Sequence, residues 1–179
     1  MKLEELCKIA STCIECPLHE SRTKVVFGEG PANAKIMLVG EAPGKNEDEE
    51  GRPFVGSAGK LLTNILQQAG LDRSEVYITN IVKCRPEGNR KPKKPEYTTC
   101  IGLYLNKQIE LINPDIIGLM GNSANYALIG KKNIKQIHGK IYELNERKYM
   151  ALFHPAAALY SRALLPQLNE DYSALAAYK

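Results

Sequence analysis

An α/β fold is predicted, with three α/β/α layers around a central, mostly parallel sheet of four strands, in a single domain spanning residues 1–179. Two observations predict it. Short apolar runs of strand length alternate along the chain with segments whose apolar residues recur at helical spacing. Three loops carrying chemically versatile residues, Gly40–Gly44, Asn80–Cys84 and His154–Ala158, each directly follow a strand-sized run. In a parallel sheet covered by helices, ligands bind where such loops gather at the carboxyl ends of the strands. A chain of 179 residues can bury one sizeable core without a second domain.

Leu3, Leu6, Cys7 and Ala10 sit at helical spacing, so a short opening helix precedes Cys13, with Cys7 expected on its apolar, core-facing side. Lys35–Gly40 (KIMLVG) is an apolar run closed by glycine and reads as a buried strand. Ser57–Ala69 carries a stripe of Leu61, Leu62, Ile65, Leu66 and Ala69 stopped by Gly70, which predicts a helix. Val76–Asn80 reads as the second strand, Tyr97–Ile112 as a helix ending before Pro114, and Asp115–Gly121 as the third strand. A helix follows around Ser123–Ile129. Lys140–Leu144 and Lys148–Phe153 read as a strand pair about Asn145-Glu146-Arg147, the first of them a hairpin arm, and the chain from Arg162 onward reads as helical.

Apolar content is ordinary and charges are mixed, which argues against disorder. No apolar run approaches the roughly 18 residues of a membrane span. The first residues, Met1-Lys2-Leu3-Glu4-Glu5, place acids where a secretory signal would carry basic residues and then an apolar core. The expected location is therefore intracellular, where thiols serve metals or catalysis more often than disulfides. The net charge of +4 is mild. Its distribution is more telling: between Lys83 and Lys94 stand Lys83, Arg85, Arg90, Lys91, Lys93 and Lys94 against the single acid Glu87, in a stretch expected to be a loop because of Pro86, Gly88, Pro92 and Pro95. Such a loop suits a phosphate backbone, and the same composition also describes a solvated lysine-rich loop.

Cys13 and Cys16 form a C-x2-C pair, Cys84 follows after 67 residues and Cys100 after a further 15. A redox pair of the thioredoxin kind is disfavoured, because Cys13 lacks a preceding strand and Pro17 follows the pair. Four thiols on separate segments suit a metal centre, and their spacing leaves zinc and an iron–sulfur cluster both open. The Gly40–Gly44 loop is not a nucleotide triphosphatase loop: only three residues separate its glycines, Asn46 follows Lys45, and Pro43 removes one backbone donor. It is a tight turn able to present backbone donors and the carboxylates Glu41 and Glu47 to a small polar ligand. Phe54, bracketed by Pro53 and Gly56, reads either as core or as an aromatic face for a base.

GEAPG at 40–44, GRPFVG at 51–56, Asn80 at a strand end, CRPEGNRKP at 84–92 and HPAA at 154–157 occur in the order found in family 4 uracil-DNA glycosylases, which the chain resembles from Cys13 to Arg162. The resemblance implies the uracil-DNA glycosylase-like fold, release of uracil from DNA by hydrolysis of its glycosidic bond, and a [4Fe–4S] cluster on Cys13, Cys16, Cys84 and Cys100. It makes uracil-containing DNA the partner and places the chain in the cytoplasm at the nucleoid. A monomer is expected, and a replication sliding clamp is a candidate partner. The Arg- and His-rich insertion of related glycosylases that become trapped on DNA is missing after CRPEGNR, which favours an enzyme that turns over.

By the same resemblance His154 donates to uracil O2 as the base leaves, and Asn80 reads O4 and N3–H with the donor and acceptor of its amide. Phe54 stacks on the base, and Glu47 lines its C5 edge. Ala42 stands where the first family of these enzymes has a water-orienting Asp, so Glu41 or another carboxylate takes that task. Asn89 is a candidate contact to water or DNA. Arg85, Arg90, Lys91, Lys93 and Lys94 are expected on phosphate, and Tyr160 and Arg162 in a wedge loop where relatives carry an Arg. The competing readings are a non-catalytic DNA-binding module with a four-cysteine metal centre, which has no need of His154 with Asn80, and an iron–sulfur redox protein, which leaves the GEAPG and HPAA loops unused.

Overall fold

A computed structural model describes all residues, 1–179. The opening helix α1 (Leu3–Ala10) starts where the Glu5 carboxylate accepts from the Lys2 backbone N–H at 2.8 Å, with Glu4 and Glu5 set against the positive end of the helix. Strand β1 (Ile36–Gly40) leads into the Gly40–Gly44 loop and a short helix α2 (Lys45–Glu50), then α3 (Ser57–Gln68) and β2 (Val76–Asn80). Nothing in the periodicity of KNEDEE predicts α2, since the segment has no apolar stripe. This helix is held by its ends: Glu47 Oε1 accepts from the Gly44 N–H at 3.0 Å, and Asp48 is buried against the Thr23 N–H at 2.8 Å.

The helix expected over 97–112 is continuous but not uniform. It begins as α4 (Lys94–Cys100), widens into a π turn over Ile101–Leu105 and closes as α5 (Asn106–Ile112), where Asn113 in the left-handed region ends it before Pro114. Then come β3 (Ile116–Met120), α6 (Asn122–Ile129), α7 (Ile134–Ile137), β4 (Ile141–Leu144), β5 (Arg147–Leu152), α8 (Pro155–Tyr160) and α9 (Leu165–Ala174). The segment expected as a wedge loop after His154 is thus helical.

The sheet has five strands rather than four, in the order β2-β1-β3-β5-β4. The first four are mutually parallel, and β4 joins antiparallel at the edge because Asn145 and Glu146, both at positive φ, turn the chain straight back into β5. Alternation within each buried strand feeds two faces. Ile36 and Leu38 face the core with α3, α8 and α9, whereas Met37 and Val39 face the core with α5 and α6. The connections from β1 and β3 leave toward opposite edges, which opens a crevice at their carboxyl ends.

Candidate active site

That crevice is a cleft of about 840 Å³ floored by the ends of β1, β2, β3 and β5. It brings together Glu41, Ala42, Glu47, Phe54, Asn80, Asn89, His154 and Tyr160, all expected from the sequence, with Arg90 and Lys91 at its rim. Gly121, Asn122 and Ser123 also line it, and sequence reasoning missed them. The available signal was positional, since Gly121 directly follows β3 just as Gly40 closes β1.

Phe54 is buried with φ +52°, a conformation that bulky residues rarely hold. Arg73 maintains it. Its Nη1 donates to the Phe54 carbonyl at 2.7 Å and to Thr63 Oγ1 at 3.0 Å, and its Nη2 donates to the Pro53 carbonyl at 2.7 Å. Gly59 at the start of α3 lies against the Phe54 carbonyl with no room for a Cβ. Glu47 ties the two glycine-rich loops: Oε1 accepts from Gly44, and Oε2 accepts from the N–H groups of Val55 and Gly56, each at 2.9 Å. Its carboxylate therefore fixes the walls of the cleft as well as lining it.

Asn80 is 2% exposed, and its Oδ1 has no hydrogen-bond partner. A buried acceptor left open costs about 1–3 kcal/mol and is suited to an incoming donor. Gly40, paired with Asn80 in the sheet, keeps the site open, since a Cβ there would meet Asn80 Oδ1 at 2.6 Å and the Phe54 ring at 2.9 Å. The Phe54 and His154 rings are 5.5 Å apart. His154 Nδ1 accepts from the Ala156 N–H at 3.1 Å, so the neutral ring carries its proton on Nε2. Withdrawal from water pushes its pKa down to about 4, against a smaller opposing pull from Glu47. Glu41 accepts a short hydrogen bond from Ser123 Oγ, which fixes one carboxylate oxygen and leaves the other free.

The basic loop divides in two. Lys91, Lys93 and Lys94 are exposed. Lys83, grouped with them by its place in the sequence, is fully buried: its Nζ donates to Thr79 Oγ1 at 2.5 Å and to the Asn80 carbonyl at 2.9 Å, and burial pushes its pKa down to about 7. Arg85 Nε donates to Asn89 Oδ1 at 2.7 Å. Arg90 pairs through two nitrogens with the buried Glu96, at 2.8 and 2.9 Å, and so folds the loop back on α4. Tyr160 is 91% exposed at the cleft mouth, while Arg162 is exposed beyond it.

Cys13, Cys16, Cys84 and Cys100 line one small, mostly apolar cavity. Arg22 reaches into it, with Nη1 2.6 Å from the Cys13 carbonyl and 3.4 Å from Cys84 Sγ. Burial pushes the Cys100 thiol up to about 11. No three His, Cys, Asp or Glu side chains crowd together closely enough to enclose one metal ion. Cys7 is exposed, contrary to its expected place in the core, because Leu6 and Ala10 form the buried line of α1 and Cys7 falls to one side of it.

Residues 27–176 match the uracil DNA glycosylase superfamily. The chain belongs to that superfamily. It is 44% identical over 180 residues to a type-4 uracil-DNA glycosylase of Sulfurisphaera tokodaii, covering 95% of this chain and 81% of the relative. It is 43% identical over 179 residues to the type-4 enzyme of Archaeoglobus fulgidus, covering 95% and 87%. The type-4 enzyme of Thermotoga maritima is 46% identical over 167 residues, covering 89% and 86%. The superfamily match begins after Cys13 and Cys16, whereas the type-4 relatives are similar over nearly the whole chain. No helix is long and apolar enough to cross a membrane.

Proposed function

We infer that this chain is a monofunctional uracil-DNA glycosylase, hydrolysing the bond between C1′ and uracil N1 in DNA and leaving an abasic site. One observation carries the reading: Phe54, the open Asn80 acceptor and the Nε2–H edge of neutral His154 surround a single cleft at the strand ends. An extruded uracil fits these groups. The Phe54 ring stacks on its face, Asn80 Oδ1 accepts from N3–H and Nδ2 donates to O4, and His154 Nε2–H donates to O2. As the C1′–N1 bond breaks, its electron pair passes to the base and charge grows on O2, so the His154 hydrogen bond strengthens in the transition state. Water then attacks C1′ of the oxocarbenium-like sugar, and Glu41, steadied by Ser123, orients it and takes its proton. Lys91, Lys93 and Lys94 hold phosphate, and Tyr160 fills the vacated base position.

The four cysteines hold a [4Fe–4S] cluster in this reading. Four thiols from separate segments that share one cavity would suit an iron–sulfur centre, whose ligands are Cys thiolates. The Arg22 and Lys83 side chains beside them offset the negative charge that four thiolates bring. The cluster, when bound, ties the N-terminal segment to the basic loop. The deciding experiment is release of free uracil from a labelled oligonucleotide under enzyme excess. Binding of that DNA without any release would overturn the catalytic reading in favour of a DNA-binding module.

A further inference from the structure

From Ile116 to Tyr142 the chain has no Asp or Glu, and this stretch carries Lys131, Lys132, Lys135 and Lys140, all exposed. No carboxylate is within ion-pairing distance of the four. Across the packed elements, Asp171 of α9 is taken by His138 at 2.7 Å. Lys132 and Lys131 lie over the rings of Tyr126 and Tyr142, at 4.4 and 5.2 Å, an arrangement that holds an ammonium at the surface without cancelling its charge.

The segment is also fixed in place. Ile134 is buried in the core, and its N–H donates to Asn122 Oδ1 at 2.8 Å, on the wall of the cleft. The Lys140 carbonyl accepts from the Ala151 N–H at 3.0 Å, three residues before His154. In the sheet order β2-β1-β3-β5-β4, the loop with Lys91, Lys93 and Lys94 follows one edge strand, and the lysine segment leads into the other. Four strand spacings separate those edges, about 19 Å at ~4.8 Å each. The cleft opens between them.

We propose that Lys131, Lys132, Lys135 and Lys140 form a second phosphate-binding surface, which takes the DNA backbone on the side of the extruded nucleotide opposite to the Lys91–Lys94 loop. This rests on the glycosylase reading. Extruding a nucleotide turns it about its backbone into the site at a cost in unstacking and unpairing. Anchors on both sides of the cleft offset that cost, whereas a single anchor would leave the second flank free to relax.

The test compares the parent protein with a variant carrying Lys131→Gln, Lys132→Gln, Lys135→Gln and Lys140→Gln, on a uracil-containing duplex, with log Kd followed against log salt concentration. The slope should become shallower by about 0.9 for each phosphate that the variant no longer neutralises, and this change should add to that caused by neutralising Lys91, Lys93 and Lys94. Duplexes trimmed close to the uracil on one side then locate the bound phosphates. Trimmed on one flank, parent and variant should bind alike; trimmed on the other, the full difference should persist. An unchanged slope would overturn the proposal, as would an equal weakening with either flank trimmed, which marks a diffuse charge effect. Uracil release by the parent is scored separately, so absence of release would sink the glycosylase reading, whereas the salt slopes judge the surface.

Discussion

In the proposed mechanism His154 and Asn80 act at different moments, so their substitutions should separate. His154 Nε2–H matters most when charge reaches O2, so His154→Ala should slow single-turnover release by about 100- to 1,000-fold, the loss expected for one oxyanion donor, with little change in DNA affinity. A near-normal rate at saturating enzyme would remove His154 from the mechanism. The ring should also set where acid inhibits. Its pKa is about 4 in the folded protein, against about 6.5 in an unfolded chain. Above 6.5 it is neutral in both states, and the stability it contributes is complete; as the pH falls from 6.5 through 4 the unfolded chain takes up the proton first and that stability is lost. Below about 4 a proton on Nδ1 also displaces the Ala156 N–H. The rate should therefore show no His inflection near pH 6.5 and should fall near 4. Asn80→Asp should slow uracil release and admit slow attack on an unpaired cytosine, because a protonated Asp offers a donor to N3 and an acceptor to the N4 amino group. Assay of free cytosine from a mismatched duplex measures this.

Among the elements, the Pro53–Phe54 turn is held from outside itself. Arg73 contributes two bonds to its carbonyls, and hydrogen bonds from a charged donor are worth about 1.5–3 kcal/mol each. Arg73→Met should raise the enzyme concentration giving half-maximal single-turnover rate about tenfold, by releasing Phe54 from its left-handed conformation. In a Phe54→Ala background the same substitution should change that value less than about twofold, since the ring through which Arg73 acts is gone. Equal losses in both backgrounds would mark Arg73 as a general stabiliser. The GEAPG, Asn80 and HPAA parts of the cleft were legible because each abuts a buried strand. Arg73, far from any motif, and Ser123, one polar residue in a helix start, carried no sequence signal of their own.

For the whole molecule, residues before the superfamily core fold back on it through the contact of Arg22 with Cys84, through the bond of the Thr23 N–H to Asp48 and through the cysteine cavity. If a four-iron cluster closes that cavity, purified protein should be brown and contain iron, with no more than traces of zinc. Cys84→Ser should lower the iron content, reduce Tm by at least about 5 °C, and open the segment around Cys13 and Cys16 to limited proteolysis. Cys7→Ser should change none of these, because Cys7 is exposed and outside the cavity. Normal iron in Cys84→Ser would remove that ligand from the set.

The sequence by itself determined the alternation of strands and helices, the four thiols on separate segments and the loops that end in Glu41, Asn80 and His154. These are written in local pattern: buried strands are apolar runs, and a parallel sheet sends its loops to one rim. Only the tertiary structure decided which charges are free. Lys83 and Arg90 read like Lys91 along the chain, yet Lys83 is buried with the distant Phe27 ring 6.0 Å from its Nζ, and Arg90 folds back onto Glu96 at the start of α4, neither of which the run of charges shows. The hold of Arg73 on Phe54 and the placing of two lysine groups at opposite sheet edges have a tertiary origin. Each depends on how separate segments meet in space, about which composition and periodicity carry no information.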